Sequence, residues 1–315
     1  MGAETLSSRA VIGRFYNTLE QDDGASWAGQ VSNLFTSDQS SETYPWLGQV
    51  PRLREWIGGR QAKGFLQNGI TIENKHYEAT LEIAVRDMRR DKTGQLNVRV
   101  DEFAQGANSH WASLLSTLLI NGESTACYDG QYFFDTDHSE GGSGTQSNDI
   151  SVDISALATA AHGSTTAPSV GEMAACIMQG IAQIVGFKDD RGEPMNENAS
   201  TFLVIVPVSL YATAIAAVAL PIVDNGNSNV LPASGKWKIE VQANARLTWT
   251  DRFAIFRTDA ATKALIRQQE TPVQLKVKAE GSEFEFDYDA HQYGIDTWRN
   301  VGYGMWQRAC LVTMA

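Results

Sequence analysis

Between Gln95 and Ile120 the chain carries Leu96, Val100, Phe103, Ala107, Trp111, Leu114 and Leu118 at successive steps of three or four. That spacing sets these side chains on one face of a single α-helix. Asn121–Gly122 supplies the stop. At 1.5 Å per residue such a helix runs roughly 35–40 Å, longer than most helices of a small domain. A rod of this length needs partners along its whole face, so it reads as a spine on which other elements lie.

The run FLVIVPVSLYATAIAAVALPIV, from Phe202 to Val223, has no charged residue and is long enough to span a bilayer. Its composition points elsewhere. Pro207 divides a β-branched half, Phe202 to Val206, from an Ala-rich half, Ser209 to Leu220, and no Lys or Arg flanks either end closely. A buried strand followed by a packed helix is expected, with no membrane span. A further helix begins at Ser169, which forms a capping-box pattern with Glu172, and its face is Val170, Met173, Ile177, Ile181 and Ile184. Alternation predicts strands at Ile70 and Ile72, from Tyr77 to Val85, at Trp237 to Val241 and from Phe253 to Phe256. A closing hairpin is expected from Val273, Leu275 and Val277, a turn at Gly281–Ser282, then Phe284, Phe286 and Tyr288. The aromatic end, Trp298, Tyr303 and Trp306, is expected to pack on that hairpin. The fold class is α+β, without βαβ regularity or internal repeats.

Hydrophobic residues make up 43% and charged residues 20% of the 315-residue chain, enough for a sizeable core. Lys plus Arg number 25 against 37 Asp plus Glu, a net charge of −12. This disfavours a general nucleic-acid binder, which needs a basic face to neutralise phosphates. Cys127, Cys176 and Cys310 are too few and too scattered for a disulfide framework, so synthesis in a reducing cytosol is expected. The first residues lack an apolar signal-peptide core. A secreted β-rich binding module, which would need both features, is therefore not favoured.

Asp129, Asp135, Asp137 and His138 lie close enough in sequence for a divalent cation or general acid–base work. An Asp/His-dependent metal hydrolase using residues 129–138 is the competing functional reading. The spacing matches neither an EF-hand nor a zinc motif, and a turn-rich loop using Asp for Asx-turns is the simpler account. His76, His110, His162 and His291 are isolated, and no GxSxG, Walker A or helix-opening GxGxxG is present. The basic run Arg86 to Lys92 is interleaved with Asp and reads as a solvated face. No catalytic, cofactor-binding or metal residue is assigned.

Particular strings carry a resemblance. Tyr44-Pro45-Trp46-Leu47-Gly48, Leu53-Arg54-Glu55-Trp56-Ile57-Gly58 and Asn74-Lys75 followed by Tyr77-Glu78 are joined by Cys127-Tyr128-Asp129-Gly130-Gln131, Phe133-Phe134-Asp135 and Asp137-His138. With the order arm, projecting β-excursion, spine helix, central α/β region and returning β-structure, the chain resembles the Mu-like phage major head subunit (gpT) family. That family has the Hong Kong 97-type capsid fold, and the similarity runs from about Phe15 to the C-terminus.

The resemblance implies a structural protein, not an enzyme: a virion capsid subunit made in the bacterial host cytoplasm. Hexamers and pentamers would tile an icosahedral shell around packaged double-stranded DNA, held without sequence-specific binding. Scaffold and portal proteins are implied partners, with room for a decoration protein. The implied divisions are an N-terminal arm over residues 1–48, an extended E-loop over 49–83, a P-domain with the spine helix over 84–160, an A-domain over 161–270 and a P-domain return over 271–315. Within the E-loop, Arg60, Lys63, Phe65 and Leu66 are the expected inter-subunit contact, because a two-stranded ribbon cannot bury enough surface alone. A crosslink through Lys63, as in some relatives, has no identifiable Asn partner here.

Overall fold

The computed structural model describes residues 7–21, 26–45, 47, 69–91, 93–157, 161, 163–233 and 235–315. Arg60, Lys63, Phe65 and Leu66 lie outside the described residues.

A long four-stranded sheet forms the first layer. Its centre is the antiparallel pair β11 (Leu265–Lys278) and β12 (Ala290–Tyr303). β4 (Lys75–Ala84) runs antiparallel along β12 from Lys75↔Arg299 to Ala84↔Ala290, and β1 (Ser32–Thr36) runs parallel to the opening of β11. Ahead of β4, β3 (Ile70–Glu73) pairs with β2 (Ser41–Tyr44). The strands expected at Ile70 and Ile72 and from Tyr77 to Val85 thus fall on β3, paired with β2, and on β4, paired with β12.

Across this layer lies the spine helix α4 (Gln95–Ile120), with the limits the periodicity predicts. Its first turn is held by Asp91, whose carboxylate accepts the backbone N–H groups of Thr93, Gly94, Gln95 and Leu96. The amphipathic N-terminal stretch forms α1 (Ser8–Gln21), which lies along the first half of α4. Arg14 and Thr18 both bond Asp101, and Val11 and Phe15 pack with Val100, Ala104 and Tyr293. The short helices α2 (Ser26–Val31) and α3 (Val85–Arg90) lead into β1 and out of β4.

Within the predicted face, Val100 and Ala107 are buried, while Leu96, Phe103, Trp111, Leu114 and Leu118 are half-buried. The deepest positions of the second half are Leu115 and Leu119, at 0% and 1% exposure. The helix turns its buried side by one residue because its two halves serve different cores. The first half packs with α1, and the second enters the main core beside Phe133, Phe134 and Met305. Trp111 is held instead by the Arg299 and Arg267 guanidinium groups, 4.8 and 5.5 Å from its ring centre.

The second sheet runs β7 (Asp149–Val152), β13 (Ala309–Met314), β10 (Arg252–Arg257), β8 (Thr201–Val206) and β9 (Lys238–Ala243). α5 (Val170–Gly186) lies over β13 and β10, and α6 (Val208–Ala219) over β8 and β9. Both capping-box bonds between Ser169 and Glu172 are made. Pro207 separates β8 from α6 as its fixed φ and missing N–H require. The short α7 (Val230–Ala233) follows α6, and a small ribbon of β5 (His138–Ser139) and β6 (Thr145–Gln146) precedes β7. No helix among the described residues is long and apolar enough to cross a membrane.

Two expectations are corrected. Phe284, Phe286 and Tyr288 do not form the returning strand: they lie on the helical turn α8 (Glu283–Tyr288). Ser282 caps this turn by accepting the Glu285 N–H, and Asp289 ends it at φ 49°. No core surface claims the alternating aromatics, so the local cap prevails and the strand resumes at Ala290. Trp298, expected to pack, keeps 38% of its surface exposed, whereas Tyr303 and Trp306 are buried. β7 and the C-terminal β13 share one sheet with β8, β9 and β10, because β13 pairs with both β7 and β10.

Leu115→Ala should cost about 2–5 kcal/mol of stability, the range for a fully buried leucine. The half-buried Leu114→Ala should cost less than half of that. Chemical denaturation of the two variants checks the ordering, and equal losses would contradict this packing.

Candidate functional site

Beyond the spine helix the chain folds back on itself through Gly122, whose carbonyl accepts the Phe134 N–H. An added Cβ on Gly122 would lie 2.4 Å from the Phe134 ring, so the close approach requires glycine. A tight turn follows: Cys127 N–H donates to the Gln131 carbonyl at 2.7 Å, with Gly130 at φ 90°. The turn aims Asp129 inward. One Asp129 carboxylate oxygen accepts the Gln131 N–H at 3.1 Å and the Cys127 thiol at 3.0 Å, and the other meets His138 Nδ1 at 2.7 Å.

His138 is fully buried and stacked on Trp306, with ring centres 4.1 Å apart and planes at 9°. Its Nε2 lies 3.2 Å from Asn148 Oδ1, which also accepts the Asp135 N–H at 2.9 Å. The Asn148 amide nitrogen donates to the Phe133 carbonyl at 2.7 Å, which fixes the amide with its oxygen toward the histidine. Beside this group Tyr128 hydroxyl bonds Glu140 and Gln307. The result is a buried polar node joining the loop after α4, the β5–β6 ribbon and the segment entering β13. Sequence reading singled out Asp129 and His138 but not Asn148 or Gln307, and it placed Trp306 only in the aromatic end. Those partners lack any local motif, and only folding brings them close.

Cys127, Asp129 and His138 each offer one ligand atom, all within 4.8 Å of one another. Their hydrogen bonds account for the grouping without an ion. Burial, with the adjacent Asp129 charge, pushes the Cys127 thiol well up, so it donates its S–H to the Asp129 carboxylate. Asp135 and Asp137 do not join the group. Asp135 accepts the backbone N–H groups of Tyr132 and Thr136, and Asp137 is exposed. The node therefore works as a clasp between these segments.

Surface features are of a different kind. A groove of about 370 Å³ runs between α4 and the long sheet, with an apolar floor that includes Phe103, Val273 and Ile295 and acidic Glu78, Glu102 and Asp296 along it. Within it, burial and the Arg299 and Arg246 charges push His110 down to about 4. The α6 face also leaves Val208, Tyr211 and Ile215 exposed.

Burial alone would raise the Asp129 carboxyl, but the bonds from His138 and Cys127 outweigh it and hold the group below its ordinary 3.8. Its stabilising share is therefore full above pH 3.8 and lost as the pH falls through the lower folded-state value. Asp129→Asn should cost about 1–3 kcal/mol at neutral pH. The gap from wild type should close as the pH drops below 3.8, followed by acid unfolding of both proteins. EDTA should leave the melting temperature unchanged, and elemental analysis of dialysed protein should find no stoichiometric zinc or manganese.

Residues 7–162 and 233–314 match the model of the family described as Mu-like prophage major head subunit gpT. Over 123 residues the chain is 38% identical to the Mu-like prophage FluMu major head subunit of Haemophilus influenzae, covering 39% of this chain and 40% of that protein. Over 117 residues it is 34% identical to the major capsid protein of Escherichia phage Mu, covering 37% of this chain and 38% of that protein. The matched stretch thus spans about two fifths of these relatives' length. In structure the chain is similar to a chain of the bacteriophage JBD30 procapsid, with TM-score 0.54 and 23% identity over 97% of this chain and 74% of that one. A capsid chain of cyanophage P-SCSP1u gives 0.53 at 11% identity, over 90% and 86%. The α+β architecture is accordingly of the Hong Kong 97-type capsid fold, and the chain belongs to the Mu-like prophage major head subunit gpT family.

Proposed function

We propose that this chain is the major head subunit of a Mu-like tailed phage or prophage, a structural protein without enzymatic activity. Hexamers and pentamers of it would tile an icosahedral shell that encloses double-stranded DNA in the virion. The observation that carries this reading is the family match over both ends of the chain, 7–162 and 233–314, joined to a capsid fold over nearly its whole length. The net charge of −12 suits it, since a wall that grips DNA would hinder filling and ejection. Scaffold and portal proteins are proposed partners, and a decoration protein is a further one.

In this reading residues 1–48 are the arm, 49–83 the E-loop, 84–160 the P-domain with α4, 161–270 the A-domain with α5 and α6, and 271–315 the P-domain return. Arg60, Lys63, Phe65 and Leu66 are proposed to contact a neighbouring subunit. Their mix of cationic and apolar side chains suits an apolar surface with carboxylates along it, the character of the groove beside α4.

Electron microscopy of the purified protein should find closed shells, tubes or rings. Replacing Ala62 to Gln67 with a Gly/Ser linker should leave near-native circular dichroism while shell formation fails. Shells of normal yield from that variant would remove these residues from the assembly contact. An unfolded variant would instead mean that they pack within their own chain.

A further inference from the structure

Among the described residues the most exposed aromatic side chain is Phe286, at 92%, with Tyr288 beside it at 68%. Both project from α8, where Phe284 and Tyr288 stack with centres 4.7 Å apart. A large apolar side chain held out in water is the informative exception on a folded surface. Its surroundings are acidic. Glu285 is engaged internally, accepting the Gly281 N–H and meeting His291, but Glu283, Asp287 and Asp289 are exposed.

A surface of opposite character adjoins this tip. The Val85 N–H donates to the Asp289 carbonyl at 2.9 Å, so α3 starts where α8 ends. Arg86, Arg89 and Arg90 are exposed on α3, and Arg99 and Val98 on the first turns of α4, Val98 at 56%. A cleft of about 410 Å³ opens between α3 and α4, lined by Arg90, Arg99 and Leu96 with Asp87, which lies 3.5 Å from Arg86, and Asp91. The Asp91 carboxylate in that cleft is already consumed by backbone N–H groups of the α4 first turn. Among the described residues no ion pair joins the α8 carboxylates to these arginines, although the two surfaces share one end of the sheet.

We propose that α8 of one copy docks into the α3–α4 cleft of a second copy. Phe286 would lie over Val98 and the guanidinium planes, with Glu283 and Asp287 opposite Arg90 and Arg99. The two patches are complementary in charge, and among the described residues no ion pair joins them within one chain. A contact between unlike patches of identical copies is either reciprocal across a two-fold axis or head-to-tail, and the head-to-tail form closes into a ring when the rotation permits. The attraction is between exposed charges, so it orients and accelerates association and weakens with salt. This deepens the head-subunit reading and rests on it.

The test is a charge swap in the full chain. Asp287→Arg and Arg90→Glu should each raise the protein concentration needed for shells at least tenfold, with melting temperature unchanged. The double variant should recover much of the loss, because the pair is re-formed with reversed signs. Phe286→Ser, at a position too exposed to matter for folding, should weaken assembly similarly. Wild-type assembly by all three single variants, or a double variant no better than its parents, would overturn the docking. If wild-type protein makes no shells at all, the head-subunit reading falls. The docking is then judged by sedimentation velocity of the unassembled chain, where the same swap pattern must govern self-association or the inference falls too.

Discussion

The packing of α4 along two separate cores is the constraint on which the other elements depend. Its first half closes the cluster of Val11, Phe15, Ile83 and Tyr293, and its second half carries Leu115 and Leu119 into the large core. Two further bonds tie it to β12: Arg299 donates to the Ala107 carbonyl at 3.2 Å, and the Tyr303 hydroxyl donates to the Leu118 carbonyl at 2.8 Å. A helix held at both ends by different layers transmits their relative position. The long sheet and the second sheet are oriented by one rigid rod, not by a flexible linker.

The buried node around His138 performs a related task by polar means. Burying an imidazole, a carboxylate and an amide is costly unless each finds partners, and here each does. Because those partners come from the 122–135 loop, the β5–β6 ribbon and the approach to β13, the network holds only when all are in place. Residues that resemble a catalytic centre in sequence thereby specify one arrangement of chain segments. This agrees with a family of structural subunits.

A shell subunit has to be stable alone yet carry surfaces that are satisfied only in company. The described residues divide in that way. The second sheet is sealed, with β8 and β10 buried almost throughout, while β4 is largely exposed and α8 displays aromatics to solvent. Such exposed contacts are individually weak, which suits assembly through many repeated, correctable encounters.

Much of this was legible in the chain itself. The limits of α4, the Ser169–Glu172 cap and the division at Pro207 are local matters of spacing, side-chain capping and a missing N–H, and each stands where the residues predict. The strings around Trp46, Trp56 and Asp129 to His138 carried the family. Three features were decided only in the folded state. Alternation at Phe284, Phe286 and Tyr288 became a helical turn, because alternation marks a strand only where a core receives one face. The buried side of α4 passed from Leu114 to Leu115, because a wide apolar stripe leaves rotation to whichever partners pack against it. The C-terminal strand crossed into the second sheet, because hydrogen-bond pairing between β13, β7 and β10 joins residues distant in sequence. Local order follows from neighbours along the chain, whereas facing, register and the partners of His138 follow from neighbours in space.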